Sequence, residues 1–342
     1  MNIFQQYLAE EFAEEYQEGR ISRREALKLI AGVTGSMFLA NSILAACTPL
    51  AQDELAPSPS ATPAMPTGEA TAAAAASPGP IATEAATETT MASTETPPSE
   101  GAGSTAHGTV SPDDPEVQAA DIQFPSNGAI ILGYLARPNK EGSFPVVLVC
   151  HENRGLTDHI KDVTRRLARA GYVALAVDLL SRNGGTADLS SDEVPGILGN
   201  TPSDQFVQDF LNGWRYLQDQ PFAQADRVGM VGFCFGGGVT WLMATRMPEL
   251  RAAVPFYGPH PPVEDVPNIQ AAVLAIYGER DQRINQGIPA IEEAMQQNNK
   301  IYEKVIYPDA DHAFHNDTGP RYNPEAARDA WRRTLDWFDS YL

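Results

Sequence analysis

The tightest constraint in this chain is the run Gly232-Phe233-Cys234-Phe235-Gly236-Gly237, lodged between two patterns of different period. Upstream, residues 227–233 read as a buried strand; downstream, residues 236–246 read as a helix. A strand that passes straight into a helix makes a sharp, strained turn with its apex side chain exposed. Small residues are required there because backbones approach closely. The turn also aims the next N–H, that of Phe235, at negative charge developing beside Cys234, and the helix N-terminus adds its field. A thiolate at the apex gains from the same field.

The rest of the C-terminal two-thirds repeats the alternation. Residues 121–126 and 129–136 flank Asn127-Gly128, a two-residue hairpin signal. Continuous apolar runs at Phe144–Cys150, 172–179, 252–257 and 271–277 have the character of strands buried on both faces, with a further extended segment at 304–307. Between them, 159–170, Ser203–Gln218, Ile288–Gln297 and 324–342 carry apolar residues at helical spacing. This pattern predicts an α/β fold, a mainly parallel sheet with helices on both faces, whose site lies beyond the carboxyl ends of the strands.

A nucleophile in such a sheet needs an orienting acid and a base from later strand ends, in that chain order. Asp281 follows the 271–277 strand within Tyr-Gly-Glu-Arg-Asp, and His312 follows the 304–307 strand within Asp-Ala-Asp-His-Ala-Phe. Glu279 and His315 are the competing acid and base, and Asp309 and Asp311 read as turn and capping residues.

With these residues in view, the chain resembles the dienelactone hydrolase (carboxymethylenebutenolidase) family over roughly residues 120–342. The family's Gly-x-Cys-x-Gly-Gly elbow is matched by Gly232, Cys234, Gly236 and Gly237, and its acid and base by Asp281 and His312. Its His-Glu after the first core strand is matched by His151-Glu152, and its Asp-Leu-x-x-Arg by Asp178-Leu179-Leu180-Ser181-Arg182. The resemblance implies the α/β-hydrolase fold and a Cys-His-Asp triad. It further implies that Glu152 pairs with the resting thiol, that Asn153 joins Phe235 in the oxyanion hole, and that Arg182 binds a substrate carboxylate. The family's second carboxylate-binding arginine has no match just after the histidine, where this chain has His315, Asn316 and Asp317.

The N-terminal third is of another kind. From about residue 48 to 115 the chain is Ala, Thr, Ser, Pro, Gly and acids, too poor in large apolar groups to offset ordering entropy, and reads as a disordered tether. Such a coil reaches roughly 40–50 Å. Ahead of it, Ser22-Arg23-Arg24 resembles a twin-arginine export signal, and Leu44-Ala45-Ala46-Cys47 a bacterial lipobox. On this reading residues 1–46 are an address outside the fold, 47–115 the tether, and 116–342 the catalytic domain. Acylated Cys47 would then anchor the domain to the membrane, outside the cytoplasm.

Of 342 residues, 44 are Asp or Glu and 24 are Lys or Arg, a net charge of −20 that argues against a nucleic-acid partner. Three cysteines, Cys47, Cys150 and Cys234, show neither zinc spacing nor a disulfide framework, and no metal or organic cofactor is implied. The expected partner is a small ester or lactone. The alternatives are a catalytically silent ligand-binding lipoprotein, or an acyl transferase or peptidase using the same site.

Overall fold

In a computed structural model of the protein, described over residues 1–46 and 108–342, an eight-stranded mixed sheet runs in the order β1-β2-β4-β3-β5-β6-β7-β8. β1 (Val117–Ser126) and β2 (Ala129–Pro138) form an antiparallel hairpin through Asn127 and Gly128, both at positive φ as the tight turn demands. β2 pairs antiparallel with β4 (Val173–Val177). From β4 onward every pairing is parallel, through β3 (Phe144–Cys150), β5 (Ala223–Phe233), β6 (Ala252–Phe256), β7 (Ala272–Gly278) and β8 (Tyr302–Tyr307).

Ten helices accompany the sheet among the described residues. α1 (Ile3–Gln17), α2 (Arg23–Thr34) and α3 (Met37–Ala46) precede it. α4 (Asp158–Arg169), α5 (Val194–Asn200), α6 (Ser203–Gln218), α7 (Phe235–Arg246), α8 (Gln282–Asn285), α9 (Ile288–Gln297) and α10 (Pro324–Tyr341) follow. β4, β6 and β7 are buried along their whole lengths because helices cover both faces of the sheet. None of these helices is long and apolar enough to cross a membrane.

Two boundaries move relative to the sequence reading. The domain starts earlier than residue 116: the Val110 N–H donates to Asp162 of α4, and its carbonyl accepts from Arg165. More consequentially, residues 1–46, set apart as an address, are packed on the domain. α1 forms because Asn2 and Gln5 cap it reciprocally and no proline interrupts it; Gly19, at positive φ, ends it. Phe4, Leu8 and Phe12 fall on one helical face and are buried. The Phe4 ring meets Phe206 at 5.7 Å and Phe235 at 4.9 Å. Burying each such side chain is worth about 1.5–3 kcal/mol, enough to hold the helix down. Cys47 and the tether up to residue 107 lie outside the described residues.

Candidate active site

The elbow is built as its glycines demand. A Cβ on Gly232 would stand 2.1 Å from the Gly236 carbonyl oxygen, and one on Gly236 would stand 2.5 Å from those of Cys150 and His151. The turn between β5 and α7 can close this tightly only with hydrogen atoms at both positions. Cys234 at its apex adopts φ 59° and ψ −121°, and its N–H donates to the Phe256 carbonyl of β6 at 3.0 Å. Such backbone strain costs about 1–3 kcal/mol and is held by the packing around it.

The acid and base arrive from the two following strand ends. Asp281 caps α8 just after β7, accepting from the Ile284 N–H. His312 sits in the loop after β8. Its Nδ1 is 2.5 Å from Asp281 Oδ2, and a ring nitrogen lies within 4.8 Å of Cys234 Sγ. All three side chains are buried. Burial opposes charge on the imidazole, yet Asp281 and then the thiol outweigh it and lift His312 to about 10. Burial likewise opposes ionisation of Asp281, but the imidazole holds its carboxyl below the usual range.

The competitors stand elsewhere. Glu279 is exposed and accepts from the Asp309 N–H, while His315 packs against the Phe233, Phe256 and Trp331 rings. Asp309, at positive φ, pairs with Arg280 in a turn. Cys150 is fully buried in β3.

One expectation is corrected. Glu152 is buried beside the site, where its Oε2 accepts from Asn316 Nδ2 at 2.7 Å, and among the described residues its carboxylate makes no hydrogen bond to Cys234. The carboxylate that reaches the thiol is Glu11 of α1, with its two oxygens 3.7 and 3.8 Å from Sγ. Burial first and Glu11 next push the Cys234 thiol up, and Glu152 adds a smaller push through space. Glu152 is itself raised by burial. Asp178 accepts from the Leu180 N–H and from Thr186, shaping a loop that turns Arg182 toward Asp209 of α6, 2.7 Å away, and the Ser126 carbonyl. These contacts fasten that loop to the hairpin. The cations beside Cys234 are instead Arg154 and Arg321.

Phe235 opens α7, so its N–H has no partner in a preceding helical turn. Asn153 lines the same small cavity as Cys234. His151 braces this loop. Its Nε2 accepts from the Leu179 N–H, which leaves Nδ1 to donate to the Glu152 carbonyl at 2.7 Å.

Tyr7 was not anticipated at all. Its hydroxyl lies 3.1 Å from Cys234 Sγ and 3.3 Å from His312 Nε2. A helical reading of residues 3–17 places it on an apolar face with Phe4, Leu8, Glu11, Phe12 and Glu15, but does not say what that face covers. Among the described residues, Glu11, Cys234 and His312 also offer ligand atoms within 4.8 Å of one another. A soft cation held there would occupy the nucleophile and the base, and so would block acyl chemistry instead of assisting it.

Residues 131–342 match the family model described as the dienelactone hydrolase family. A Methylorubrum extorquens protein named "Putative carboxymethylenebutenolidase" is 37% identical over 236 residues, spanning 65% of this chain and 81% of that one. A Bradyrhizobium protein named "Probable 2-oxo-3-(5-oxofuran-2-ylidene)propanoate lactonase" is 38% identical over 234 residues, 65% of this chain and 94% of its own. Among solved structures, a "Putative Dienelactone Hydrolase" of Klebsiella pneumoniae is 33% identical with a TM-score of 0.62, covering 66% of this chain and 99% of that one. The match begins within the hairpin, runs through elbow, acid and base, and leaves α1–α3 outside it: the chain belongs to the dienelactone hydrolase family.

Proposed function

We propose that the protein hydrolyses carboxylic esters or lactones by covalent catalysis at Cys234. The observation that supports this reading is His312, whose Nδ1 is 2.5 Å from Asp281 and whose ring stands within 4.8 Å of the Cys234 sulfur at the elbow. Once the imidazole is in its neutral form, sulfur attacks the acyl carbon as its proton passes to that ring. Asp281 keeps the ring oriented and stabilises the imidazolium. Negative charge builds on the former carbonyl oxygen, where the Phe235 and Asn153 N–H groups are the available donors. Collapse of the tetrahedral intermediate expels the alkoxide, which takes the proton from His312; in a lactone that oxygen stays attached to the acyl chain. Water, activated by the same imidazole, then cleaves the thioester to the acid and restores the thiol. No step calls on a metal or organic cofactor.

The test is a panel of p-nitrophenyl esters and unsaturated five-membered lactones, the latter suggested by the lactonase name of the Bradyrhizobium relative. Turnover that saturates with substrate is expected. No turnover above buffer on any member, with the enzyme shown to have a reactive Cys234, would leave a silent binding domain.

The leader supports a second part of the proposal: the domain works outside the cytoplasm, anchored by acyl chains on Cys47. Its support is the order Arg23-Arg24, apolar run, Leu44-Ala45-Ala46-Cys47. Expressed in a lipoprotein-processing bacterium, the protein should carry a fatty-acid label and sediment with membranes, and Cys47→Ala should lose the label. An unlabelled, soluble wild type retaining Met1 overturns this part.

A further inference from the structure

The cavity that reaches Cys234 has a volume of only about 110 Å³, whereas ligand pockets usually run to ~300–1,000 Å³. What fills the missing space is α1. Its Tyr7 hydroxyl contacts both Cys234 Sγ and His312 Nε2, the atoms between which the proton must pass. Glu11 places its carboxylate against the same two side chains, 3.7 Å from the sulfur and 3.9 Å from Nε2. The next acids on the helix engage the cations around the site. Glu14 pairs with Arg283 at 3.1 Å, and Glu15 approaches Arg321 at 3.6 Å. The Arg283 guanidinium also lies 4.5 Å from the centre of the Tyr7 ring.

We propose that α1 is a removable intramolecular ligand of the active-site groove, one that keeps the hydrolase closed until the segment bearing it is displaced or cut away. Substrate cannot reach Cys234 without taking the space that Tyr7 and Glu11 hold. The occupant is bound as a ligand is bound, with apolar anchors at Phe4 and Leu8 and charged contacts toward its carboxyl end. It is also separable. The family match starts at residue 131, so α1 is not part of the matched domain, and the turn from α1 to α2 runs through exposed Glu18, Gly19 and Arg20. Cleavage in front of Cys47, as proposed above, would take α1 away with the rest of residues 1–46. The thiol would thus remain shielded inside the cell and become accessible only where the mature enzyme works. Glu11 acts in the same direction as the steric block, because its charge disfavours the thiolate.

This inference rests on the hydrolase reading for its purpose but not for its test. A specific protease site is inserted in the full chain between Glu18 and Arg20. Iodoacetamide labelling of Cys234, resolved by peptide mass spectrometry, and p-nitrophenyl acetate turnover are then followed before and after cutting. A second full-length variant, Phe4→Asp/Leu8→Asp, detaches the anchors without touching the triad, and Gln6→Ala on the exposed face is the control. Cutting, with dissociation of the helix confirmed by size exclusion, and the anchor variant should each raise Cys234 labelling at least tenfold, with the control within twofold of wild type. Turnover should rise in parallel. Unchanged labelling in the cut protein with its helix gone overturns the plug, whatever the turnover. Faster labelling without turnover on any ester keeps the plug and overturns the hydrolase reading instead.

Discussion

Cys234→Ala is expected to lower ester turnover by on the order of 10⁴-fold or more, measured in the same capped or cut state as the wild type. The substitution removes the atom proposed to form the acyl intermediate, and the oxyanion donors alone recover little of that loss. Stability should change far less. Alanine keeps the Cβ in the strained φ of 59°, and His312 keeps Tyr7 and Asp281 as partners, while buried Glu11 loses its contact with the thiol. Turnover on p-nitrophenyl acetate and a urea midpoint on the same preparation separate the two effects. A variant retaining a tenth of wild-type turnover would remove Cys234 from the nucleophile's role.

Asp281→Asn should cost about 10²–10⁴ in turnover, and its stability cost should depend on pH. The amide can still accept the Ile284 N–H, so the start of α8 is kept, but it offers the imidazole no charge. In the wild type, His312 titrates near 10, above the ordinary value of about 6.5. A group raised by folding stabilises fully below its unfolded pKa and loses that contribution as pH climbs through its folded pKa. Asp281, depressed by the same pairing, contributes above the ordinary carboxylate range and loses its share as pH falls below it. Both shifts describe one interaction and are not to be added. The difference in urea midpoint between wild type and variant should therefore be widest from about pH 5 to 6.5 and shrink toward pH 10. A gap that widens with rising pH would mean that Asp281 does not hold a charged imidazole.

Much of the sheet was legible because its signals are local. β3, α6 and α9 have the boundaries their apolar patterns predict, and the Asn127-Gly128 hairpin needs only two residues to declare itself. α6 begins after Pro202 without a side-chain cap. α5 escaped notice as a short helix with a proline and two glycines, held by packing against α2 more than by propensity.

Sequence alone determined the order nucleophile, acid, base, because strand ends can be read from apolar runs and the elbow from its glycines. Position at a strand end then leaves Cys234, Asp281 and His312 little freedom to be anywhere but together. Only the tertiary structure decided which charges accompany them. Glu152 and Arg182 match a family pattern, and each is held by a side chain, Asn316 and Asp209, that lies more than twenty residues away in the chain. Tyr7 and Glu11 stand more than two hundred residues from the thiol they contact. A leader motif says where a segment is sent and nothing about what its apolar face covers beforehand. That outcome depends on surface complementarity between α1 and a groove assembled from separate strand ends, which no local period encodes.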